Sequence, residues 1–139
     1  MACSGDYAEL HCVSNFTFLR GASHPEELVE QAAQLGYRAL ALTDECTFAG
    51  IVRAHTAAKD LAIRFIVGTE LRLPDRARVV VLAPDRRAYG DLSALISLAR
   101  RNAEKGGYRL ERSDVERHLG SSDCLVLWLP DETPDNDAG

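Results

Sequence analysis

Short apolar runs along the chain are separated by longer stretches in which apolar residues recur at helical spacing. The runs predict five strands, at residues 7–13, 39–43, 65–67, 79–83 and 124–129. The helical spacing predicts four helices, at residues 23–35, 49–61, 87–105 and 113–120. Strands and helices mostly alternate, which is typical of parallel strands joined by right-handed crossovers. We therefore predict an α/β fold with mostly parallel strands.

Polar and glycine residues predict where several of these elements begin and end. Ser23 with Glu26, and Ser113 with Glu116, have the spacing of a capping box at a helix N-terminus. Gly68 follows the third apolar run and predicts the end of that strand.

The charge of the chain is concentrated at one end. Among 139 residues, 21 are acidic and 16 are basic, which gives a net charge of −5. Four of the acids lie in the last nine residues, which carry no Lys or Arg. We expect residues 131–139 to form an acidic disordered tail, because they offer almost nothing to bury. The nearly neutral remainder argues against a dedicated nucleic-acid-binding module.

The sequence shows no feature of a membrane or secreted protein. No apolar run approaches the roughly 18 residues that a membrane span needs, and the first residues lack the pattern of a signal peptide. The four cysteines form no CxxC pair, which argues against a zinc knuckle or a dithiol motif. We expect a cytoplasmic protein with free thiols and no membrane partner.

Three residues with metal-binding side chains lie where predicted strands end. His11, Asp44 and Glu70 occupy equivalent places on three successive strands, and functional groups collect at the carboxyl ends of parallel strands. Imidazole and carboxylate groups are common ligands of divalent metals. Two other interpretations stay open: Asp44 caps the following helix, or Cys46 is a nucleophile with His11 as its base.

Two stretches of the sequence carry a family resemblance. Residues 7–59, which include LHCVSNFTFLRGAS and ALALTDECTFAG, and residues 63–73, IRFIVGTELRL, resemble the N-terminal PHP (polymerase and histidinol phosphatase) domain of C-family bacterial DNA polymerases. The resemblance is strongest to the error-prone branch and continues more weakly to residue 130. It implies that residues 1–130 are the N-terminal, incomplete portion of a PHP-type β/α barrel. The implied partners are the remainder of the polymerase and, through it, DNA.

The same resemblance implies a degenerate metal site. The family binds up to three divalent metals through a His-x-His motif, an Asp-His pair and a Glu. His11, Asp44 and Glu70 match the first His, the Asp and the Glu, whereas Val13 and Glu45 stand where histidines are expected. We expect at most weak binding of Mn²⁺, Zn²⁺ or Mg²⁺ at His11, Asp44 and Glu70.

The resemblance therefore implies a structural part of a polymerase that acts in damage-tolerant DNA synthesis and repair. The alternatives are a stand-alone metal-dependent phosphoesterase or 3′–5′ exonuclease, an interaction module, or a gene remnant. Phe16, Phe18 and Arg20 follow the first strand, where a functional loop and a packing role are both consistent with the sequence. An incomplete barrel exposes strand edges, so we also expect marginal stability and self-association.

Overall fold

The computed structural model describes residues 7–17, 20–75 and 77–130. Phe18 and the predicted tail, residues 131–139, lie outside these ranges. The described elements are β1 (Ala8–Cys12), α1 (Pro25–Gln34), β2 (Ala39–Leu42), α2 (Ile51–Ala58), β3 (Arg64–Arg72), β4 (Arg78–Ala83), α3 (Arg86–Arg101), α4 (Arg112–Leu119) and β5 (Leu125–Leu129). Within the described ranges, every helix is too short or too polar to cross a membrane.

The five strands form one sheet in the order of the sequence. β1, β2 and β3 are parallel neighbours, whereas β3 with β4 and β4 with β5 are antiparallel pairs. The α/β prediction is confirmed, but the expectation of mostly parallel strands holds only for the first three. The physical reason is the connection between β3 and β4, which is too short for the crossover that parallel strands need.

The helices pack on one face of the sheet. One cluster joins α1 and α2 to Leu40 and Leu42 of β2, and another joins α3 and α4 to Val79 and Val81 of β4. Alternate residues of the same strands, Ala41 and Val80 among them, turn to the opposite face and are fully buried there. That second face, called the inner face below, also carries Glu70, which pairs with Val80.

The third strand is longer than its apolar run predicts. β3 continues through Gly68 instead of ending there, so that Glu70 lies within the strand and pairs with Val80 of β4. A Cβ at Gly68 would lie 2.8 Å from the Leu82 side chain and 2.9 Å from the Val81 carbonyl oxygen. Glycine at this position therefore serves close strand packing, and it does not end the strand.

Two helix starts also differ from the predicted capping boxes. α1 begins at Pro25, and the backbone N–H of His24 donates to the Glu27 carboxylate over 2.9 Å. Proline favours the first helical position because it lacks an N–H group, which moves the cap from Ser23 to His24. α4 is capped by Glu111 rather than Ser113. α3 ends at Arg101, before the predicted residue 105.

β5 is an edge strand with unusually exposed apolar side chains. Four of its residues have side chains that are 37–59% exposed: Leu125, Val126, Leu127 and Trp128. Within the part of the chain that the structure describes, the strand pairs with β4 and with no other strand. Apolar edges of this kind invite association, and self-association of this chain stays a prediction.

Candidate functional site

The inner face of the sheet brings two of the three predicted site residues into contact. His11 of β1 and Glu70 of β3 lie on strands separated by β2, and His11 Nε2 is 2.6 Å from Glu70 Oε1. Because a carboxylate only accepts hydrogen bonds, His11 Nε2 is the donor. The next residue, Cys12, packs among the helices on the other face, as the alternation of a strand requires.

Arginine side chains surround the Glu70 carboxylate, which is completely buried. Arg20 donates from Nη1 to Oε2 over 2.6 Å and from Nη2 to Oε1 over 3.1 Å. Arg78 Nη1 lies 3.8 Å from Oε2. Burial alone raises the pKa of the Glu70 carboxyl, but the hydrogen bonds from Arg20 and His11 outweigh it, so this pKa lies below its ordinary value.

The loop between β1 and α1 is folded so that Arg20 reaches the site. The backbone N–H groups of Arg20 and Gly21 both donate to the Thr17 carbonyl oxygen, over 3.2 and 3.1 Å. A Cβ at Gly21 would lie 2.1 Å from the Ser14 carbonyl oxygen, so only glycine permits this close approach of the two backbone segments. The loop thus holds Arg20 over the inner face.

Asp44, the third predicted site residue, has different partners. Its carboxylate accepts hydrogen bonds from the Ser14 backbone N–H, the Ser14 hydroxyl and the Thr17 hydroxyl, each over 2.6 Å. The residue is only 2% exposed. Asp44 therefore anchors the β1–α1 loop. Its backbone still adjoins the site, because the Glu70 N–H donates to the Asp44 carbonyl oxygen.

Glu45 joins the site in place of Asp44. Arg20 Nη1, which donates to Glu70, also lies 3.3 Å from Glu45 Oε1. The Tyr108 hydroxyl donates to Glu45 Oε2 over 2.5 Å and accepts from the Arg72 backbone N–H over 2.9 Å. Burial and the bond to Glu45 raise the pKa of Tyr108 well above its ordinary value, so the phenol stays a donor at neutral pH.

The turn after Glu45 is held by an arginine from α3. Cys46 has a backbone φ of 49°, in the left-handed region that non-glycine residues rarely adopt. Arg100 Nε and Nη2 donate to the Cys46 carbonyl oxygen over 3.2 and 3.0 Å, and its guanidinium lies 5.5 Å from the centre of the Tyr108 ring. Burial raises the pKa of the Cys46 thiol to about 11, which argues against a nucleophilic role.

The resulting arrangement is a charge cluster of His11, Arg20, Glu45 and Glu70, here called the inner-face cluster. Within the described ranges, no three His, Cys, Asp or Glu side chains are arranged to hold a metal ion. Sequence reasoning identified His11 and Glu70 from their places near strand ends. The sequence leaves the role of Arg20 open, because no local pattern indicates that this arginine will contact the Glu70 carboxylate, 50 residues further along the chain.

The chain is similar in sequence to segments of much longer proteins. It is 57% identical to the error-prone DNA polymerase of Methylococcus capsulatus, over 100% of this chain and 13% of that protein. It is 59% identical to the error-prone DNA polymerase of Dechloromonas aromatica, over 96% of this chain and 13% of that protein. The chain thus spans about an eighth of the length of these curated relatives.

Solved structures and a sequence family agree on the fold. A protein assigned as a metal-dependent phosphoesterase of Bifidobacterium adolescentis is 25% identical, with a TM-score of 0.58 over 73% of this chain and 35% of that chain. An amidohydrolase of Chromobacterium violaceum is 31% identical, with a TM-score of 0.57 over 68% of this chain and 34% of that chain. The PHP domain family matches residues 9–128, a range that includes all four residues of the inner-face cluster. With most of its length matched, the chain belongs to the PHP domain family.

Proposed function

We propose that this chain is the PHP segment of an error-prone DNA polymerase and serves that enzyme as a structural module in damage-tolerant DNA synthesis and repair. The observation that carries the proposal is 57% identity to such a polymerase along the whole chain. In this proposal residues 1–130 are the PHP segment and residues 131–139 an acidic tail. The partners are the remainder of a C-family polymerase and, through it, DNA, in the cytoplasm.

The proposed role is structural because His11, Asp44 and Glu70 do not fit a catalytic metal. Such a metal needs about three protein ligands and an open position for water. Both carboxylate oxygens of Asp44 and of Glu70 already accept short hydrogen bonds from within the chain. The Arg20 guanidinium adds a positive charge that repels a second cation. Mn²⁺, Zn²⁺ or Mg²⁺ would therefore bind weakly at most, and nucleotide addition belongs to parts of the polymerase outside this chain.

A segment exchange tests the structural role. The matching segment of the Methylococcus capsulatus polymerase is deleted in one variant and replaced by this chain in another. We expect the deletion to abolish primer extension past an abasic site and the chimera to restore it. A soluble, folded chimera as inactive as the deletion would contradict the proposal.

A stand-alone phosphoesterase is the second candidate, and the likeness to the Bifidobacterium adolescentis protein favours it. Release of nitrophenol from p-nitrophenyl phosphate, and of nucleotides from a DNA 3′ end, would be measured with Mn²⁺ and Zn²⁺. We expect neither product from the isolated chain. Turnover that the Glu70→Gln variant loses would replace the structural proposal with this one.

A further inference from the structure

We propose that the surface around Tyr108 binds the phosphate backbone of single-stranded DNA directly. Three guanidinium groups line it, those of Arg72, Arg101 and Arg109, and these residues with Tyr108 are here called the arginine surface. The inference rests on the proposed polymerase function and deepens it, because it assigns a DNA contact to this chain as well as to the rest of the enzyme. The surface involves no metal ion.

Two neighbouring cavities give the arginine surface its shape. One, of about 280 Å³, lies between Arg72 at the end of β3 and the loop that joins α3 to α4. The other, of about 520 Å³, lies between Arg101 at the end of α3 and the same loop. Tyr108 and Arg109 line both cavities. A positively charged groove that contains an aromatic side chain is how proteins bind single strands without reading their sequence.

The guanidinium groups of this surface are open to an external anion. Among the residues that the structure describes, the side chains of Arg72 and Arg101 make no hydrogen bond and no ion pair. Arg109 Nε lies 3.8 Å from Glu111 Oε1, and the Arg109 side chain is 72% exposed. Such an exposed pair contributes little, and a phosphate offers an arginine two oxygens that match its planar fork.

A fourth arginine places a fixed positive charge beneath the arginine surface. Arg100 donates to the carbonyl oxygens of Cys46 and Gly107, and its guanidinium lies 5.5 Å from the centre of the Tyr108 ring. These partners are all neutral, and no carboxylate in the described part of the chain pairs with Arg100. Its charge therefore adds to the attraction for an anion at the surface.

The acidic groups nearby do not cancel this charge. Glu45 lines the first cavity, but Arg20 and the Tyr108 hydroxyl already donate to its carboxylate. Glu104 lines the second cavity, and with Glu111 it faces the four guanidinium groups described above. The local excess is positive although the net charge of the whole chain is −5. A local excess of this kind attracts a polyanion to one place on a protein.

Hydrogen bonds hold the arginine surface in shape before a ligand binds. The Tyr108 hydroxyl donates to Glu45 Oε2 over 2.5 Å and accepts from the Arg72 backbone N–H over 2.9 Å. The Arg109 backbone N–H donates to the Ala99 carbonyl oxygen over 2.9 Å. These bonds tie the loop to β3 and to α3, so binding orders little more than the arginine side chains.

Fluorescence anisotropy of a fluorescein-labelled oligothymidine tests this inference. The purified chain is titrated into a strand of about 20 nucleotides at about 50 mM NaCl, because phosphate contacts weaken as salt rises. We expect the unaltered chain to bind and the Arg101→Gln/Arg109→Gln variant to bind at least about tenfold more weakly. The slope of log K against log salt should fall by about 0.7 for each arginine removed.

Two controls separate a specific surface from general charge. Arg86→Gln/Arg87→Gln removes the same charge from exposed positions at the opposite end of α3, roughly 20 Å away, and should leave the affinity within about twofold. A fluorescein-labelled oligoglutamate of the same length presents acidic groups without phosphates or bases, and we expect it to bind more weakly than the DNA strand.

Each result supports or overturns the inference. No binding of oligothymidine to the unaltered chain, or equal losses in the two double variants, overturns it. Tighter binding of oligoglutamate than of oligothymidine overturns it in favour of an acidic protein partner. If circular dichroism shows that the Arg101→Gln/Arg109→Gln variant does not fold, the two single variants carry the same test.

The test is separate from that of the proposed function. Failure of DNA binding by the isolated chain leaves the result of the polymerase chimera unaffected. Conversely, an inactive chimera would refute the structural role in the polymerase without changing the DNA titration.

Discussion

Glu70→Gln removes the charge at the centre of the inner-face cluster and keeps the shape of the side chain. In the unaltered chain Glu70 accepts two hydrogen bonds from Arg20 and one from His11, and it is fully buried. The substituted amide still accepts at one oxygen, but its NH₂ group faces arginine donors. The variant therefore loses charge-assisted bonds and leaves the guanidinium of Arg20 without its principal anion.

The expected cost follows from the burial of the partners. Removal of one member of a buried ion pair costs about 3–5 kcal/mol. The side chains of Arg20 and His11 are 31% and 34% exposed, so they regain part of their hydration when Glu70 becomes neutral. We therefore expect the lower end, a loss of about 3 kcal/mol in the free energy of unfolding, which is a large share of the stability of a small domain.

Urea unfolding at pH 7, followed by far-UV circular dichroism, measures this loss. Glu26→Gln is the matched control, because Arg53 donates to Glu26 over 2.6 and 2.9 Å with side chains that are 47% and 32% exposed. An exposed pair contributes about 0.5 kcal/mol. Equal losses in the two variants, or no loss in Glu70→Gln, would refute the claim that burial makes the inner-face pair important.

The pKa of Glu70 also predicts how the stability difference between the unaltered chain and Glu70→Gln changes with pH. The pKa of Glu70 lies below its ordinary value of 4.5 in the folded chain, so its ionisation stabilises the fold above that pH. This stabilisation disappears as the pH falls from 4.5 through the lower folded value. The difference in stability between the unaltered chain and Glu70→Gln should shrink over the same range. A difference that grows toward acid pH would contradict this assignment.

Three further predictions concern packing, association and thiol reactivity. Gly68→Ala should lower the free energy of unfolding by about 1–3 kcal/mol, because the new Cβ would meet the Leu82 side chain and the Val81 carbonyl oxygen. Gly90→Ala is the control and should cause no loss, because a Cβ there meets no neighbouring group within 4 Å. Equal urea midpoints for the two variants would show the packing argument to be wrong. Trp128→Lys should reduce the self-association measured by sedimentation velocity. Trp128 is 59% exposed on the edge strand β5, and a charge there opposes strand pairing between two chains. An unchanged mass distribution would count against association through this edge. Burial raises the pKa of Cys46 to about 11, so iodoacetamide at pH 7 should label this thiol in urea and leave it unmodified in the folded chain. Rapid labelling of Cys46 in the folded chain would contradict its burial.

Much of the fold is predictable from local sequence pattern. The apolar runs and helical spacing identify every described strand and helix, because burial of one face imposes a period on each element. Strand direction is less local: β4 runs antiparallel to β3 because their connection is short, and no apolar pattern encodes that geometry. The local pattern at Gly68 predicts a strand end, which is wrong because the close contact with Leu82 depends on the neighbouring strand and not on the residues around Gly68.

The site is only partly predictable for a related physical reason. His11 and Glu70 are brought together by the order of the strands, which the alternation of elements indicates. Arg20 reaches them through the conformation of an irregular loop, which depends on Thr17, Gly21 and the carboxylate of Asp44. The position of a side chain at the end of a strand also does not determine its partners. The Asp44 carboxylate accepts hydrogen bonds from neighbouring hydroxyl groups instead of binding a cation.

We propose that the inner-face cluster carries its own cation, Arg20, in place of a catalytic metal. Mass spectrometry of the metal content of the chain, purified after growth with added Mn²⁺ and Zn²⁺ and then dialysed without chelator, tests it most directly. We expect far less than one metal ion per chain, together with a Tm that EDTA leaves unchanged. One tightly held ion per chain, with a Tm that falls when EDTA removes it, would show that a metal and not Arg20 is the cation of this cluster.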